Sequence, residues 1–189
     1  IFAGPGSYTL TVIEDHESVT CSTSKDIKVA RSGAASIKSI EISDWTDNDN
    51  TITVIAEGSG SYEYSIDGVV YQESPVFDNL PVGLYTIYVR DKHGCGITEQ
   101  DVALLMYPRF FTPNGDGVND VWRVKFGQCE PDMLITIMDR YGKIISSFTG
   151  STTGWDGSYN GRNLPSTDYW FVVKRNNGKE YTGHFAMIR

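Results

Sequence analysis

Two short segments carry the residues with the clearest capacity for chemistry, and both combine aspartate with glycine. The first is FFTPNGDGVND, from Phe110 to Asp120, and the second is GWDG, from Gly154 to Gly157. Asp116 and Asp156 form a candidate carboxylate pair for glycoside hydrolysis. The alternative is that each accepts hydrogen bonds from backbone amides of its own turn, as aspartate in glycine-rich turns commonly does.

Other catalytic patterns are absent from the sequence. The three histidines, His16, His93 and His184, fall in two acidic turns and one predicted strand. No serine or cysteine lies in a nucleophile elbow, and no glycine-rich phosphate loop joins a strand to a helix. The sequence therefore predicts a protein that is not an enzyme, with both aspartates in turn-forming roles.

The first segment also offers ligands for a hard cation. Asn114, Asp116 and Asp120 supply side-chain oxygens and Val118 supplies a backbone carbonyl, which is the kind of alternating oxygen set that calcium uses. The segment lacks the bidentate glutamate and the flanking helices of an EF-hand. Two interpretations stay open: a calcium loop, or a loop whose Asn and Asp side chains satisfy its own backbone. No other cofactor is predicted.

Four aromatic residues of the C-terminal half are candidates for a surface that stacks on sugars. They are Trp122, Trp155, Tyr159 and Trp170. Trp122 and Trp170 fall inside strand patterns, so we expect both in the core, and we expect Trp155 to pack over its turn. The sequence therefore favours a structural role for these rings over a glycan platform.

Charge divides the chain near Tyr107. Residues 1–106 carry 6 Lys or Arg against 16 Asp or Glu, a net charge of −10, whereas residues 107–189 carry 10 against 8, a net charge of +2. Because nucleic-acid-binding surfaces are basic, the acidic body predicts no nucleic-acid partner. The chain starts at Ile1 without a signal-peptide pattern, so we expect it to be part of a longer protein.

The acidic part repeats itself. GSYTLTV at Gly6–Val12 matches GLYTIYV at Gly83–Val89, and each is followed by an acidic turn, a cysteine and a short strand pattern. Between the copies, alternating apolar and polar residues and an Asp67-Gly68 turn predict further short strands. Residues 36–106 are thus predicted to form one complete Ig-like β-sandwich, and residues 1–35 the last strands of a truncated repeat.

The last 83 residues are predicted to form a second, small β-sandwich, residues 107–189, joined to the first by a short and stiff linker. Turn signals at Asp139–Gly142 and Asn176–Gly178 separate neighbouring strands. The fold class is therefore all-β, with tandem Ig-like sandwiches that end in a small C-terminal sandwich. Predicted strands occupy Val121–Phe126, Met133–Asp139, Lys143–Phe148, Tyr169–Arg175 and Glu180–Ile188. The three cysteines, Cys21, Cys95 and Cys129, are predicted to be buried and their disulfide state is left open.

Residues 107–189 resemble the gliding-motility-associated C-terminal domain, the type B sorting domain of the type IX secretion system of Bacteroidota. The resemblance rests on FTPNGDGVND, ITIMDRYGKII, GWDGSYNGRNLPSTDYWF and GKEYTGHFAMIR, which occur in the family's order. It implies recognition by the outer-membrane type IX translocon and its associated β-barrel proteins, and a location at the cell surface or outside the cell. Residues 1–106 resemble the SprB-like Ig-like repeats of giant flavobacterial gliding adhesins, through GSYTLTV and GLYTIYVRDKHGC.

Together these resemblances imply the C-terminal part of a secreted adhesin of gliding motility, whose upstream repeats bind a surface glycan or the substratum. The alternative is a carbohydrate-binding or spacer module at the end of an exported polysaccharide-degrading enzyme. We expect the translocon to contact the rigid loop and the GWDG turn, since fixed, exposed backbone suits recognition. The predicted contact residues are Thr112, Pro113, Asn114, Gly115, Asp116, Gly117, Asn119, Asp120, Trp155, Asp156 and Gly157.

Overall fold

The computed structural model describes residues 4–16, 19–29 and 31–189, and these residues fold as an all-β protein, as predicted. A single turn of 3-10 helix spans Gly127–Cys129. Over the described residues, no helix is long and apolar enough to cross a membrane. The strands are β1 (Gly6–His16), β2 (Val19–Val29), β3 (Ser36–Ser43), β4 (Asn50–Glu57), β5 (Tyr62–Ser65), β6 (Val76–Leu80), β7 (Gly83–Asp91), β8 (Ile97–Leu104), β9 (Phe110–Phe111), β10 (Leu134–Met138), β11 (Ile144–Thr149), β12 (Ser158–Tyr159), β13 (Arg162–Asn163), β14 (Asp168–Lys174) and β15 (Glu180–Met187).

The hairpin β1–β2 has the same register as the hairpin β7–β8. Thr9 lies opposite Asp26 and donates to its carboxylate over 2.8 Å, just as Thr86 donates to Asp101 over 2.8 Å. The internal similarity read from the sequence is therefore also a similarity of strand pairing. Part of the predicted segment 1–35, namely residues 1–3, 17–18 and 30, lies outside the described residues.

Strands β3 to β8 form a sandwich of two three-stranded antiparallel sheets, with strand orders β3-β4-β6 and β5-β7-β8. Alternate side chains of β4 and β7 point between the sheets, where Ile52, Ile87 and Val89 are fully buried. The predicted turn at Asp67-Gly68 is present, because Asp67 accepts hydrogen bonds from the amides of Val69 and Val70. The strand predicted after this turn is reduced to a single bridge between Tyr64 and Gln72.

The C-terminal module is built on one five-stranded sheet of order β11-β10-β14-β15-β9, in which β9 runs parallel to β15. Side chains of its inner face, among them Phe171 and Phe185, form an aromatic core with Trp122. The second layer is irregular. The prediction of a strand over Val121–Phe126 was wrong, because only Trp122 and Lys125 make bridges there, to Trp155 and Met106. Phe126 has a positive φ of 62°, which ends extended pairing.

The predicted turns of the C-terminal module are confirmed. Gly142 has φ 79° and donates from its amide to the carbonyl of Asp139 over 3.0 Å, which closes the turn between β10 and β11. Gly178 has φ 81° and donates to the carbonyl of Arg175 over 3.0 Å, which closes the turn between β14 and β15. Both turns use glycine at the position where a Cβ would be strained.

The cysteines differ from prediction, because Cys21, Cys95 and Cys129 are all exposed and unpaired in the described part of the chain. Cys21 lies on a two-stranded sheet whose two faces are open, Cys95 lies in the turn between β7 and β8, and Cys129 ends the 3-10 helix. All three side chains stay exposed at these places, so none of them gains the burial expected of a small apolar residue.

The two sandwiches meet at a buried ion cluster. The Arg175 guanidinium donates to both carboxylate oxygens of Asp44 over 3.1 and 2.9 Å, and it also pairs with Glu130. Asp44 belongs to the Ig-like sandwich and Arg175 to the C-terminal module, 131 residues later. The Asp44 carboxylate also accepts the amide of Leu105 over 3.0 Å. Burial raises the pKa of Asp44, because desolvation disfavours its charged form. The cluster is stable because each of its charges has a partner of opposite sign.

Aromatic rings also cross the junction of the two sandwiches. Trp45 stacks on Tyr181 with ring centroids 4.4 Å apart and planes 10° from parallel, and Tyr107 packs edge-on against Phe171 at 4.8 Å. Trp45 comes from the Ig-like sandwich and the other three rings from the C-terminal module. These contacts join the two modules directly, and the stiffness of the linker stays a prediction.

A second buried acid, Asp91, binds the segment that enters the Ig-like sandwich. Its carboxylate accepts the hydroxyl of Ser32 over 2.7 Å, and the amides of Ser61, His93 and Cys95 over 3.1 to 3.3 Å. The Ser32 hydroxyl and these further donors hold the pKa of Asp91 at about 2. The side chain thereby joins residues 31–35 to the turn between β7 and β8.

Replacing Asp44 with alanine should destabilise the protein by about 3 kcal/mol, because Arg175 then keeps only Glu130 as a partner in a buried place. The matched control is Asp47→Ala, which removes an exposed pair with Arg109 at 4.0 Å and should cost less than about 1 kcal/mol. Urea unfolding followed by tryptophan fluorescence measures both. Equal midpoints for the two variants would contradict the structural role of the cluster.

The pKa of Asp91 predicts a specific loss of stability in acid. The folded-state pKa of about 2 lies below the unfolded value of about 4, so this stabilisation is complete above pH 4. It is lost as the pH falls from about 4 to about 2. Asp91→Asn should therefore lower the melting temperature at pH 7 and flatten its decline over that window, whereas Glu99→Gln, at an exposed position on β8, should leave the profile unchanged. Parallel wild-type and Asp91→Asn profiles would refute this assignment.

Candidate functional site

The loop of residues 112–120, called here the Asx loop, is held together by its own polar side chains. Both carboxylate oxygens of Asp120 accept backbone amides, one from Gly115 and one from Gly117, each over 2.7 Å. Asp116 accepts the amide of Val118 over 2.8 Å, and Asn114 accepts the amide of Asp116 over 3.0 Å. The Val118 amide and the Asn114 side chain hold the pKa of Asp116 below its usual range.

Backbone conformation and strand contacts complete the Asx loop. Gly115, Gly117 and Asn119 have positive φ angles of 81°, 87° and 54°, and these are residue types that adopt such values at low cost. The Thr112 amide donates to the carbonyl of Asn119 over 2.8 Å, which closes the base of the loop. The loop is therefore exposed but has one well-defined backbone shape.

The calcium hypothesis stays a prediction. Within the Asx loop, the side-chain oxygens of Asn114, Asp116 and Asp120 each accept a backbone amide, and the Val118 carbonyl accepts the Thr112 hydroxyl over 3.4 Å. Over the described residues, no group of three or more His, Cys, Asp or Glu side chains is placed to share a metal ion. A cation in this loop would have to use the remaining lone pairs of these oxygens.

The GWDG turn is anchored from the inside. The Trp155 ring is 3% exposed and packs against Phe111, Tyr169 and Phe185, with ring centroids 4.9 to 6.1 Å apart. Its indole Nε1 donates to the carbonyl of Ser158 over 2.8 Å. Trp155 was predicted as a contact residue of the translocon, but a buried ring presents no surface to a partner. Its part is to hold the turn in place.

Asp156 repeats the chemistry of the Asx loop. Its Oδ1 accepts both the hydroxyl of Ser158 over 2.7 Å and the amide of Ser158 over 2.9 Å, and these bonds lower the pKa of Asp156. Asp116 and Asp156 are thus each engaged with donors of their own turn, which is the turn-forming role expected from the sequence.

The fold brings the Asx loop and the GWDG turn together. Trp122, which follows the loop, exchanges two backbone hydrogen bonds with Trp155, at 2.8 and 2.9 Å. At the other end of the loop, Pro113 lies against Gly157, where an added Cβ would come within 3.3 Å of the proline ring. The Asx loop ends at Asp120 and the GWDG turn begins at Gly154, 34 residues later. The two segments therefore share one surface although they are distant in sequence.

Arg189 completes this surface, although it was not among the predicted contact residues. Arg189 donates from its guanidinium to the carbonyl of Gly157 over 3.1 Å and from its amide to the hydroxyl of Ser166 over 3.0 Å. The neighbouring amide of Ile188 donates to the carbonyl of Phe111 over 3.1 Å. No local pattern announces this role, because it depends on β15 lying beside β9. We call the Asx loop, the GWDG turn and Arg189 the terminal surface.

The four aromatic residues considered for a glycan platform do not share a surface. Trp122 is in the core, as expected, and Trp155, which was expected to pack over its turn, is also in the core. Tyr159 is half-buried below the Lys143 ammonium group at 4.4 Å. Trp170 was predicted in the core but is 40% exposed, next to His184. Strand alternation explains the error, because its neighbours Tyr169 and Phe171 point into the core and Trp170 therefore points to the other face.

A cavity of about 530 Å³ lies away from the terminal surface, at the junction of the two sandwiches. Its walls combine Ile40 and Ile42 of β3 and Val102 of β8 with Cys129 and Glu130 of the C-terminal module. None of the predicted contact residues lines it.

The C-terminal module matches a known sequence family. Residues 105–188 match the profile of the CHU_C type IX secretion signal domain, a stretch that contains the whole terminal surface except Arg189. This match supports a sorting signal in the C-terminal module and, in general, export to the cell surface or the extracellular space. A search of curated proteins finds no match.

Comparison with solved structures adds only remote likenesses. A biofilm associated protein BSP domain aligns at 12% identity over 78% of this chain and 29% of its own, with a TM-score of 0.30. Dimeric latent PorU from Porphyromonas gingivalis aligns at 15% over 82% and 20%, with a TM-score of 0.29. Bacteroides ovatus SGBP-B of a mixed-linkage glucan utilization locus aligns at 15% over 97% and 52%, with a TM-score of 0.26. The chain thus spans less than a third of the first two proteins, and at these scores no function follows.

Substitutions at two glycines, Gly157 and Gly161, distinguish the effect of packing on the terminal surface from the effect of backbone strain. An added Cβ at Gly157, with φ 79°, would approach Met187 Sδ to 2.5 Å and Arg189 Nη2 to 2.9 Å, whereas at Gly161, with φ 73°, it would meet nothing within 4 Å. Gly161→Ala should cost about 1 kcal/mol from φ alone.

Gly157→Ala should cost at least about 1 kcal/mol more than Gly161→Ala, because the C-terminal residues must also move. Urea unfolding of the two variants measures the difference. Equal losses would mean that the C terminus does not pack on the GWDG turn as described.

Proposed function

We propose that the C-terminal module, which matches a type IX secretion signal domain, is recognised in its folded form by the outer-membrane type IX translocon and its associated β-barrel proteins through the terminal surface. The observation that carries this proposal is the rigid union of the Asx loop with the GWDG turn. Each loop satisfies its own backbone, and the two are fixed to each other through Trp122 and Trp155. Such a surface exists only when the module is folded.

The exposed groups of the terminal surface give this recognition its chemistry. Val118 is 63% exposed at the tip of the Asx loop, and the guanidinium of Arg189 lies beside Gly157. An apolar tip, an arginine and several fixed backbone groups on one surface suit a protein partner that makes both apolar and hydrogen-bonded contacts. The buried Trp155 acts from below as a support.

The exported protein, in our proposal, is a cell-surface adhesin of gliding motility built from Ig-like repeats that bind a surface glycan or the substratum. The shared register of β1–β2 and β7–β8 supports a repeated architecture. In the second copy Ile87 and Val89 are fully buried, whereas Leu10 and Val12, at the corresponding positions, are 55% and 48% exposed. Further strands of the same repeat would cover these two side chains, as β3, β4 and β6 cover their counterparts.

Export of a reporter tests the recognition surface. The whole chain is fused behind a reporter that carries an inner-membrane export signal, and the triple variant Asp116→Ala, Asn119→Ala, Asp120→Ala is compared with the wild type. Loss of three amide-to-carboxylate hydrogen bonds, together with alanine at the positive φ of residue 119, should cost about 2–4 kcal/mol of stability. Secretion into the medium should fall severely, with the reporter held inside the cell.

The matched control is Asp132→Ala, Asp168→Ala, Asn176→Ala, in the same module. These exposed side chains make no hydrogen bond or ion pair to the described residues, so the control should be secreted like the wild type. Thermal melting of both purified variants verifies that they are folded. Normal secretion of the Asx-loop variant would overturn the proposal.

A further inference from the structure

The two edges of the C-terminal sheet differ in how open they are. The edge formed by β9 is only two residues long and lies between Pro108 and Pro113. The opposite edge, β11, runs for six residues from Ile144 to Thr149 and pairs only with β10 over the part of the chain that the structure describes. One side of its backbone is therefore free to pair with an added strand.

The free edge β11 lacks the features that usually prevent such pairing. Its sequence IISSFT contains neither proline nor a charged residue, and Ile144 is 59% exposed. Natural edge strands are commonly protected by lysine, by proline or by a very short length. The β9 edge has two of these features and β11 has none within its span, apart from the bulge near its start.

A pocket of about 210 Å³ adjoins this edge on the core side of the sheet. Apolar and aromatic groups of Ile145, Tyr159, Leu164 and Tyr169 line it. Clefts that bind small molecules usually measure about 300–1,000 Å³, so this pocket suits one or two side chains instead. A strand added to β11 would place every second side chain on the face of the sheet where the pocket lies, and the side chain nearest Ile145 would meet the pocket.

The charges at the pocket favour one kind of occupant. Arg140 and Lys143 stand at its rim, and the Lys143 ammonium lies 4.4 Å from the centre of the Tyr159 ring. The one acid in the lining, Asp139, accepts the amides of Tyr141 and Lys143 over 2.8 and 3.0 Å. The rim is thus basic, in a chain whose other module is strongly acidic.

We propose that β11 is a docking edge for an extended segment of a protein partner, with an apolar side chain at every second position and acidic residues beside them. The partner strand pairs with the free backbone of β11, an apolar side chain enters the pocket, and its acidic residues face Arg140 and Lys143. This goes beyond the proposed function, because it concerns another surface and does not depend on recognition of the terminal surface by the translocon.

The probe is a fluorescein-labelled peptide of sequence Glu-Val-Thr-Val-Thr-Val-Thr-Glu, titrated with the whole chain by fluorescence anisotropy. A second peptide has lysine in place of both glutamates. Two further peptides carry backbone N-methyl groups, one at the odd and one at the even positions. We expect the glutamate peptide to bind about tenfold more tightly than the lysine peptide. We expect one methylated peptide to bind and the other to fail, because only one row of amides faces β11.

Protein variants assign the binding to this edge. The double variant Arg140→Glu, Lys143→Glu should weaken the glutamate peptide about tenfold or more. The control Lys125→Glu, Lys179→Glu makes the same charge change at exposed positions of the same module and should not alter the affinity. Melting temperatures show that both variants are folded.

Three outcomes would overturn the proposal. They are no binding of the glutamate peptide at millimolar concentration, equal binding of the two methylated peptides, or equal weakening by the Arg140/Lys143 variant and its control. None of these results bears on secretion of the reporter, so failure here is distinguishable from failure of the proposed function.

Discussion

The pair of backbone hydrogen bonds between Trp122 and Trp155 is the interaction on which the C-terminal module depends. The backbone N–H and C=O groups of these two residues link two irregular segments that do not belong to a regular strand. The two indole rings then enter the core between Phe111, Phe171 and Phe185. Backbone pairing and aromatic burial act together here, so the loops outside keep one shape while the rings inside provide the stability.

A different physical constraint governs the junction of the two sandwiches. Arg175 is a buried cation, and an unpaired charge in such a place would be costly. Asp44 and Glu130 compensate it from opposite sides of the junction, and Trp45 covers the cluster by stacking on Tyr181. The C-terminal module therefore depends on a residue that lies outside its own sequence range. Its electrostatic complement, Asp44, lies in the preceding sandwich.

Local features were predictable because they depend on neighbouring residues alone. Gly142 and Gly178 close turns whose φ only glycine adopts easily, and Asp116 and Asp156 accept amides two residues away, as aspartate in such turns does. Features that depend on layer packing were less predictable. Trp170 is a large aromatic residue of the kind expected in a core, but strand register turns it outwards. Val121–Phe126 alternates like a strand but makes only isolated bridges, from Trp122 to Trp155 and from Lys125 to Met106.

The sequence by itself determined the all-β class, the strand rhythm, the tight turns and the identity of the two Asp-Gly segments. These follow from side-chain periodicity and backbone preferences over a few residues. Only the tertiary structure decided that the two segments form one surface with Arg189, that Asp44 neutralises Arg175, and that β11 has a free edge beside a basic pocket. Each of these depends on which distant strands become neighbours, and that choice is made by burial of the whole core and not by any local pattern.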